Sequence, residues 1–404
     1  MRKLMIRNVG PISFADIELK RINVVIGPQS QGKSTLLKIA SFCVWLEKRI
    51  ELGQSTEYFL TESGFNNHLW AFHKLEEYIR PDSFISYESD YMMFSYQRAS
   101  KKFSFAWKKG RWDYRRSKIS YIPSERNMVA AIPNWFEVTL PQNNIRNFMA
   151  DWEFARRNSK ASSDILNLGI TYHYDSLSRQ DLIQIAADTS LNFTNTSSGL
   201  QSLVPMFVVL SYIYSSVYKD EKGMRLSDSA ENESLLRLIY QELFVKKNRT
   251  DGKVQNYRDA LSDREIKMRI PILRTVGGDI KLRFDDDKAA DECEAIYKRY
   301  VKTDHCDIFL EEPENNLFPS TQKDVAKWLI ESTLREHENT LSITTHSPYM
   351  LGAFLEDNIE LGLFYCLKRD EGVIIHTATE EELQTIYSDG IDAFFNLENL
   401  SELN

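Results

Sequence analysis

The chain has 404 residues, of which 42% are hydrophobic and 27% charged, and its formal net charge is −8. This balance is ordinary for a globular protein and leaves room for one large domain or two or three smaller ones; it argues against bulk affinity for nucleic acid but not against a local basic patch. The four cysteines, Cys43, Cys293, Cys306 and Cys366, lie far apart and form no C-x-x-C pair, which points to reduced thiols and a cytoplasmic setting.

Residues 1–7 contain too short an apolar run for a signal peptide. Residues 3–9 and 12–19 are expected to be strands joined by the turn Asn8-Val9-Gly10-Pro11. Ile22-Asn23-Val24-Val25-Ile26 is a short β-branched run, a buried-strand signal. Directly after it, Gly27-Pro28-Gln29-Ser30-Gln31-Gly32-Lys33-Ser34-Thr35 fits the phosphate-binding loop G-x-x-x-x-G-K-[ST]. Leu36, Leu37, Ile39, Ala40, Cys43, Val44 and Leu46 then recur at helical spacing. Strand, glycine loop and helix together suit a phosphate. Glycines let successive N–H groups curl toward the anion, and the helix N-terminus adds partial positive charge. Lys33 would reach the β- and γ-phosphates of ATP, and the Ser34 hydroxyl would ligate Mg²⁺.

Residues 66–78 are expected to form a helix with Leu69, Phe72, Leu75 and Tyr78 along one face. Residues 84–87, 91–96 and 103–107 suggest an antiparallel meander, with a turn at Lys108-Lys109-Gly110-Arg111. Between Arg98 and Lys118 also lie Lys101, Lys102, Arg115 and Arg116, interleaved with Trp107, Trp112 and Tyr114. Such a segment either holds a DNA backbone or is a solvated hairpin face. Ser120-Tyr121-Ile122-Pro123-Ser124-Glu125-Arg126 ends a strand in two charged residues, where α/β sheets place ligand-facing groups; a loop salt bridge is the other reading.

Residues 143–158 form an expected helical arm, and Asp181-Leu182-Ile183-Gln184-Ile185 an expected strand. Ser197-Ser198-Gly199-Leu200-Gln201 opens the longest apolar segment, 203–217, which Pro205, Ser211, Ser215 and Ser216 interrupt, so no membrane span is expected. Two helices are expected within the charged stretch 219–302, near 235–244 and 288–300. Residues 306–311 form an expected buried strand that ends in Glu311-Glu312-Pro313-Glu314. Such a strand can set Glu311 against a Mg²⁺ shell and Glu312 against the attacking water. The strand 341–345 similarly ends in His346, and two further strands, 362–368 and 373–377, follow a helix.

In this order the motifs resemble the ABC-type ATPase head shared by the SMC, RecF and overcoming-lysogenization-defect (OLD-like) families. The resemblance covers about 1–50, 119–127, 181–218 and 303–367. It implies a P-loop α/β fold with a mixed central sheet, flanking helices, an antiparallel β region and helical insertions. The corresponding divisions are 1–142 (N-terminal ATPase lobe), 143–180 (helical arm), 181–218 (signature segment), 219–302 (insertion) and 303–404 (C-terminal lobe). Ser198 stands where the signature serine stands, with Gly199 and Gln201 beside it. Glu312 resembles the general base, His346 the switch histidine, and Asn315 to Leu317 the D-loop that touches a partner subunit.

Glu125 lies in the segment where transporters carry their Q-loop, but no Q-loop glutamine is evident. Glu311 replaces the usual aspartate, which favours water-mediated over direct contact with Mg²⁺. The segment after His346 is too short for the Toprim nuclease of full OLD-like enzymes, and no long heptad run is present. The resemblance therefore implies an ATP-hydrolysing homodimer or higher oligomer, with ATP at its interface. Such a protein would be the sensor of an antiphage system of PARIS, Septu or retron type that controls a separate Toprim or HNH nuclease. A RecF-like DNA-repair ATPase is the alternative, and a scaffold that binds ATP and hydrolyses it poorly is a third reading.

Overall fold

A computed structural model describes residues 1–159, 162–218, 226–245, 272–276, 280–284, 286–356, 360–390 and 394. Much of the expected insertion, 219–225 and 246–271, lies outside these described residues.

The chain opens with β1 (Arg2–Val9), β2 (Ile12–Leu19) and β3 (Ile22–Ile26), followed by helix α1 (Lys33–Glu51). Then come β4 (Ile79–Glu88), β5 (Met92–Gln97), β6 (Lys102–Trp107) and β7 (Ser117–Ile122), and helix α2 (Asn144–Asn158). Strands β8 (Ser162–Asp164), β9 (Thr171–Asp175), β10 (Gln180–Ala186) and β11 (Thr189–Asn192) form a small antiparallel sheet of their own. Helices α3 (Ser198–Ser216) and α4 (Leu226–Tyr240), the hairpin β12 (Ile272–Val276) and β13 (Ile280–Phe284), and helix α5 (Asp287–Val301) follow. The last part holds β14 (His305–Glu311), α6 (Pro319–Leu334), β15 (Thr340–Thr344), α7 (Pro348–Glu356), β16 (Leu361–Arg369), β17 (Gly372–Thr377) and α8 (Glu380–Asp389).

Eleven strands make one mixed sheet in the order β6-β5-β4-β1-β2-β17-β16-β3-β15-β14-β7. The five strands β16, β3, β15, β14 and β7 run parallel to one another. Strands β2, β1, β4, β5 and β6 form an antiparallel wing. The expected meander is therefore an extension of the main sheet. β17 joins the two parts, antiparallel to β16 and parallel to β2. Alternation decides which side each residue serves. In β14, Cys306, Ile308 and Leu310 enter the core beneath α3 and α6, while Phe309 enters the core around α1. β3 and β16 divide the same way.

Helix α3 is, by length and composition, apolar enough to cross a membrane. Residues 202–210 are buried inside the protein, so it serves as a core helix, and it runs unbroken through Pro205. Residues 66–78 depart from the expected single helix. A π-helical turn covers Asn66–Ala71 and a 3₁₀ turn covers Glu76–Tyr78, with Lys74 between them at φ 57°. Leu69 and Leu75 are buried, but Tyr78 is 40% exposed.

The sheet curls around α1. Arg2 of β1 reaches Asp307 of β14 with hydrogen bonds of 2.5 and 3.2 Å, although five strands separate them in the sheet order. Burial would raise the Asp307 pKa, but Arg2 and His305 outweigh it and hold the carboxyl well below its usual range. The buried side of α1 carries Glu47, Lys48 and Glu51. Lys48 donates to the Ser117 carbonyl at 2.5 Å, and Tyr300 donates to Glu51 at 2.9 Å. Burial pushes Glu51 up to about 8, and its Oε1 has no hydrogen-bond partner among the described residues.

A carboxyl that keeps its proton when folded but loses it near pH 4.5 when unfolded destabilises the fold as pH rises between those values. Glu51→Gln is therefore expected to be near neutral at pH 4 and to stabilise the protein by roughly 2 to 4 kcal/mol at pH 8. Urea unfolding midpoints at the two pH values check this.

Candidate functional site

Turn and helix geometry place the site at the carboxyl ends of the parallel strands. Gly27 (φ 145°) and Gly32 (φ 91°) have left-handed backbone, as does Ser30 (φ 61°). A Cβ on Gly27 would lie 2.8 Å from Cys366 Cβ, and one on Gly32 would lie 2.8 Å from Ile12 Cγ1. Only glycine fits either place. Helix α1 then begins with no side-chain cap and no acidic residue in its first turn. Its first N–H groups are thereby left for an anion.

A cavity of about 680 Å³ opens over this loop. It is lined by residues 29–35, by Glu312 and His346 from the ends of β14 and β15, and by Gly10, Tyr78 and Arg80 from the wing. Lys33 donates to the Gly27 and Pro28 carbonyls, each at 2.7 Å. Burial lowers its pKa, while Cys366, Glu312 and Glu314 act in the opposite direction. Gln31 Oε1 is buried in this cradle with no hydrogen-bond partner among the described residues.

Glu312 and His346 face each other, with Nε2 and Oε1 3.7 Å apart and both side chains 29% exposed. The His346 backbone N–H donates to Glu314 at 2.6 Å. Burial, reinforced by Lys33, lowers the His346 pKa and favours the neutral ring. Glu312 itself sits at φ 43°, a left-handed conformation unusual for a glutamate.

Arg126 secures that conformation. The sequence pattern offers it, with Glu125, as a ligand-facing group or a loop salt bridge, and it is neither. It is fully buried, and among the described residues no carboxylate bonds to it. Instead it donates to the carbonyls of Ser202 (3.0 Å), Pro123 (3.4 Å), Glu311 (2.8 Å) and Glu312 (2.7 Å). Burial lowers its pKa to about 10. One side chain thus joins the end of β14 to helix α3. A second link reinforces the first, because Asn316 donates to the Ser202 hydroxyl at 3.0 Å. A Cβ on Gly199 would meet the Asn316 carbonyl at 2.9 Å.

The other expected residues lie elsewhere. Ser198, Gly199, Gln201, Glu125 and Glu311 are not among the residues that line the cavity. The Gln201 amide donates to the Thr194 and Thr196 carbonyls at 3.0 Å each, and so braces the turn before α3. Glu125 is exposed and pairs with Lys74 at 3.6 Å. Buried Glu311 accepts from the Tyr121 hydroxyl and from the Ser124 N–H at 3.3 Å.

Among the described residues, no cluster of three or more His, Cys, Asp and Glu forms a metal site. Magnesium would fit here through ligand oxygens and the Ser34 hydroxyl, the sparse protein contact that this ion accepts. Several basic residues of 98–118 are engaged by the protein. Lys108 bonds Glu88 and the Ser89 carbonyl, Arg115 pairs with Asp304, Arg116 donates to the Val301 carbonyl, and Lys118 pairs with Asp151. Arg111 stacks on Trp107 at 3.6 Å and on Trp112 at 4.3 Å.

Comparison with known proteins places these features beside several solved structures. The chain is similar to an SMC head bound to the C-winged helix domain of ScpA, at 10% identity and TM-score 0.40, covering 95% of this chain and 99% of that one. It is similar to the SMC head domain from Thermotoga maritima, at 8% identity and TM-score 0.40, with coverages of 93% and 98%. It is also similar to the recombination mediator RecF, at 9% identity and TM-score 0.30, with coverages of 93% and 97%. No protein-family profile and no curated protein matches the chain. The P-loop fold is established here by the strand, the loop and the uncapped helix themselves.

Arg126→Lys keeps the charge but loses the fork that reaches several carbonyls. It is expected to cost about 2 to 3 kcal/mol of stability and to lower the turnover of any bound nucleotide at least tenfold, with KM changed much less. Denaturant titration and steady-state kinetics check this.

Proposed function

We propose that the chain is an ABC-type ATPase that works as a switch, with ATP and Mg²⁺ held at an interface between two copies. One observation carries the proposal. Lys33, Glu312 and His346 converge on one cavity, whereas Ser198 and Gly199 stand outside it on a helix start. Ser197 caps this helix through the Leu200 N–H, and a helix start that lies outside its own chain's cavity suits the γ-phosphate of a nucleotide bound to a second copy.

The roles follow from the groups. Residues 29–35 and the α1 N-terminus cradle the phosphates, and Lys33 neutralises their charge. Ser34 would hold the metal, and Glu311, bonded to Tyr121 and Ser124, would reach it only through water. The metal, when bound, neutralises phosphate charge and polarises the terminal phosphoryl group. Glu312 orients the attacking water and accepts its proton, and neutral His346 donates to the γ-phosphate. Exposed Tyr78 beside Gly10 provides a face on which the adenine stacks, and Arg80, donating to the Gly10 carbonyl at 2.7 Å, fixes that corner.

Binding closes the pair and hydrolysis opens it. We further propose, on the motif resemblance to OLD-like ATPases, that the open and closed forms control a separate effector nuclease in an antiphage system.

Mass by light scattering, with and without ATP, tests the switch on the wild type and on Glu312→Gln. The expected result is an ATP-dependent dimer or larger assembly, which the variant retains while kcat falls about 100-fold or more. Mass indifferent to ATP, together with normal hydrolysis by Glu312→Gln, would overturn it. Tyr78→Ala is expected to raise KM for ATP about tenfold, the worth of one stacked base, with kcat within about twofold. Steady-state titration of ATP checks this.

A further inference from the structure

A second cavity, of about 300 Å³, lies between α2, the 129–136 segment and the small sheet, and nothing above uses it. Its walls include Phe136, Tyr174 and Phe193, and its polar groups include Arg156, Arg157 and Arg179. The volume is at the lower end of the range for small-ligand sites.

The charges do not balance. Arg156, 7% exposed, is bonded by Asp181 and Glu153, and Arg157 shares the same Glu153. Three guanidinium groups therefore face two carboxylates. Arg156 Nε is buried with no hydrogen-bond partner among the described residues, and its guanidinium lies 4.7 Å from the Tyr174 ring. Arg179 makes no ion pair or hydrogen bond among the described residues.

The turn that carries Arg179 is held in place. Asp175 accepts from the Leu177 N–H at 2.9 Å and from the Ser178 hydroxyl at 2.5 Å. Arg179 itself sits at φ 59°, a left-handed conformation with a real cost for a long side chain. Strain of this kind persists where the surroundings fix it, often around a ligand. At the rim, Phe136 is 54% exposed and offers a flat apolar face.

We propose that this cavity binds a phosphate ester that carries a planar ring, a nucleoside monophosphate or a compound of that chemistry. The phosphate would lie against Arg157 and Arg179, whose planar forks suit its oxygens, and the ring against Phe136. The cavity also touches Thr194, whose carbonyl accepts the Gln201 amide at the base of α3. A ligand here therefore sits against the turn that positions Ser198. That coupling to ATP rests on the function proposed above, but the binding does not.

Titration calorimetry tests the binding with AMP, GMP, CMP, UMP and inorganic phosphate as separate probes. Lys33→Ala protein is used so that the P-loop makes no contribution, and wild type saturated with a non-hydrolysable ATP analogue serves if that variant does not fold. The expected result is a Kd below about 1 mM for at least one nucleotide, with inorganic phosphate at least tenfold weaker. In an added Arg157→Ala/Arg179→Ala background, two exposed positions, that affinity should drop at least tenfold. No binding by any nucleotide, binding indifferent to the double substitution, or inorganic phosphate binding as tightly as the nucleotides would each overturn the proposal.

Discussion

A single buried cation sets the geometry at the end of β14. Arg126 holds the carbonyls of Glu311 and Glu312, and the left-handed backbone at Glu312 follows from that grip. Without those donors, an extended strand would continue past Glu311 and carry the carboxylate away from His346 and the phosphate-binding loop. The same guanidinium takes the Ser202 carbonyl of α3. A buried charge without a carboxylate partner persists only when its donors are used well. Any shift of α3 must therefore be felt in the backbone that aims Glu312.

A second constraint lies on the other side of the sheet. The N-terminal end of α1 is left uncapped for an anion, while its C-terminal half buries ionisable groups against the curled sheet. Arg2 and Asp307 close that curl across five intervening strands. The wing is thereby fixed against the parallel core, and Gly10, Tyr78 and Arg80 come to stand beside the phosphate-binding loop.

What the sequence disclosed follows from the range of each signal. The loop 27–35, the strand ending in Glu311 and Glu312, and the strand ending before His346 are local patterns, and the residues Lys33, Glu312 and His346 do meet. Tyr78 was hidden because its spacing matched a helical face, whereas a left-handed residue at Lys74 divides that segment and turns the ring outward. Arg126 reads from sequence as a ligand-facing group or half of a loop salt bridge, because carbonyl ligands distant in sequence leave no mark on it. The strand 181–185 was legible, but its membership in a separate small sheet was not, since partners are chosen by packing and not by propensity. The basic stretch 98–118 had two readings, and the structure shows several of its cations taken up by neighbouring carboxylates, carbonyls and indole rings.

The position of β17 has a consequence for how the molecule assembles. Residues 12–15 of β2 pair with residues 373–375 of β17, and residues 22–25 of β3 pair with β15 and β16. The opening strands thus wait for partners made last. During synthesis the N-terminal wing leaves the ribosome with an open edge, at the typical pace of about 5 to 20 residues per second. Such long-range pairing slows folding and exposes strand edges to wrong partners. The β2 edge of the nascent chain therefore stays open until β17 has been made.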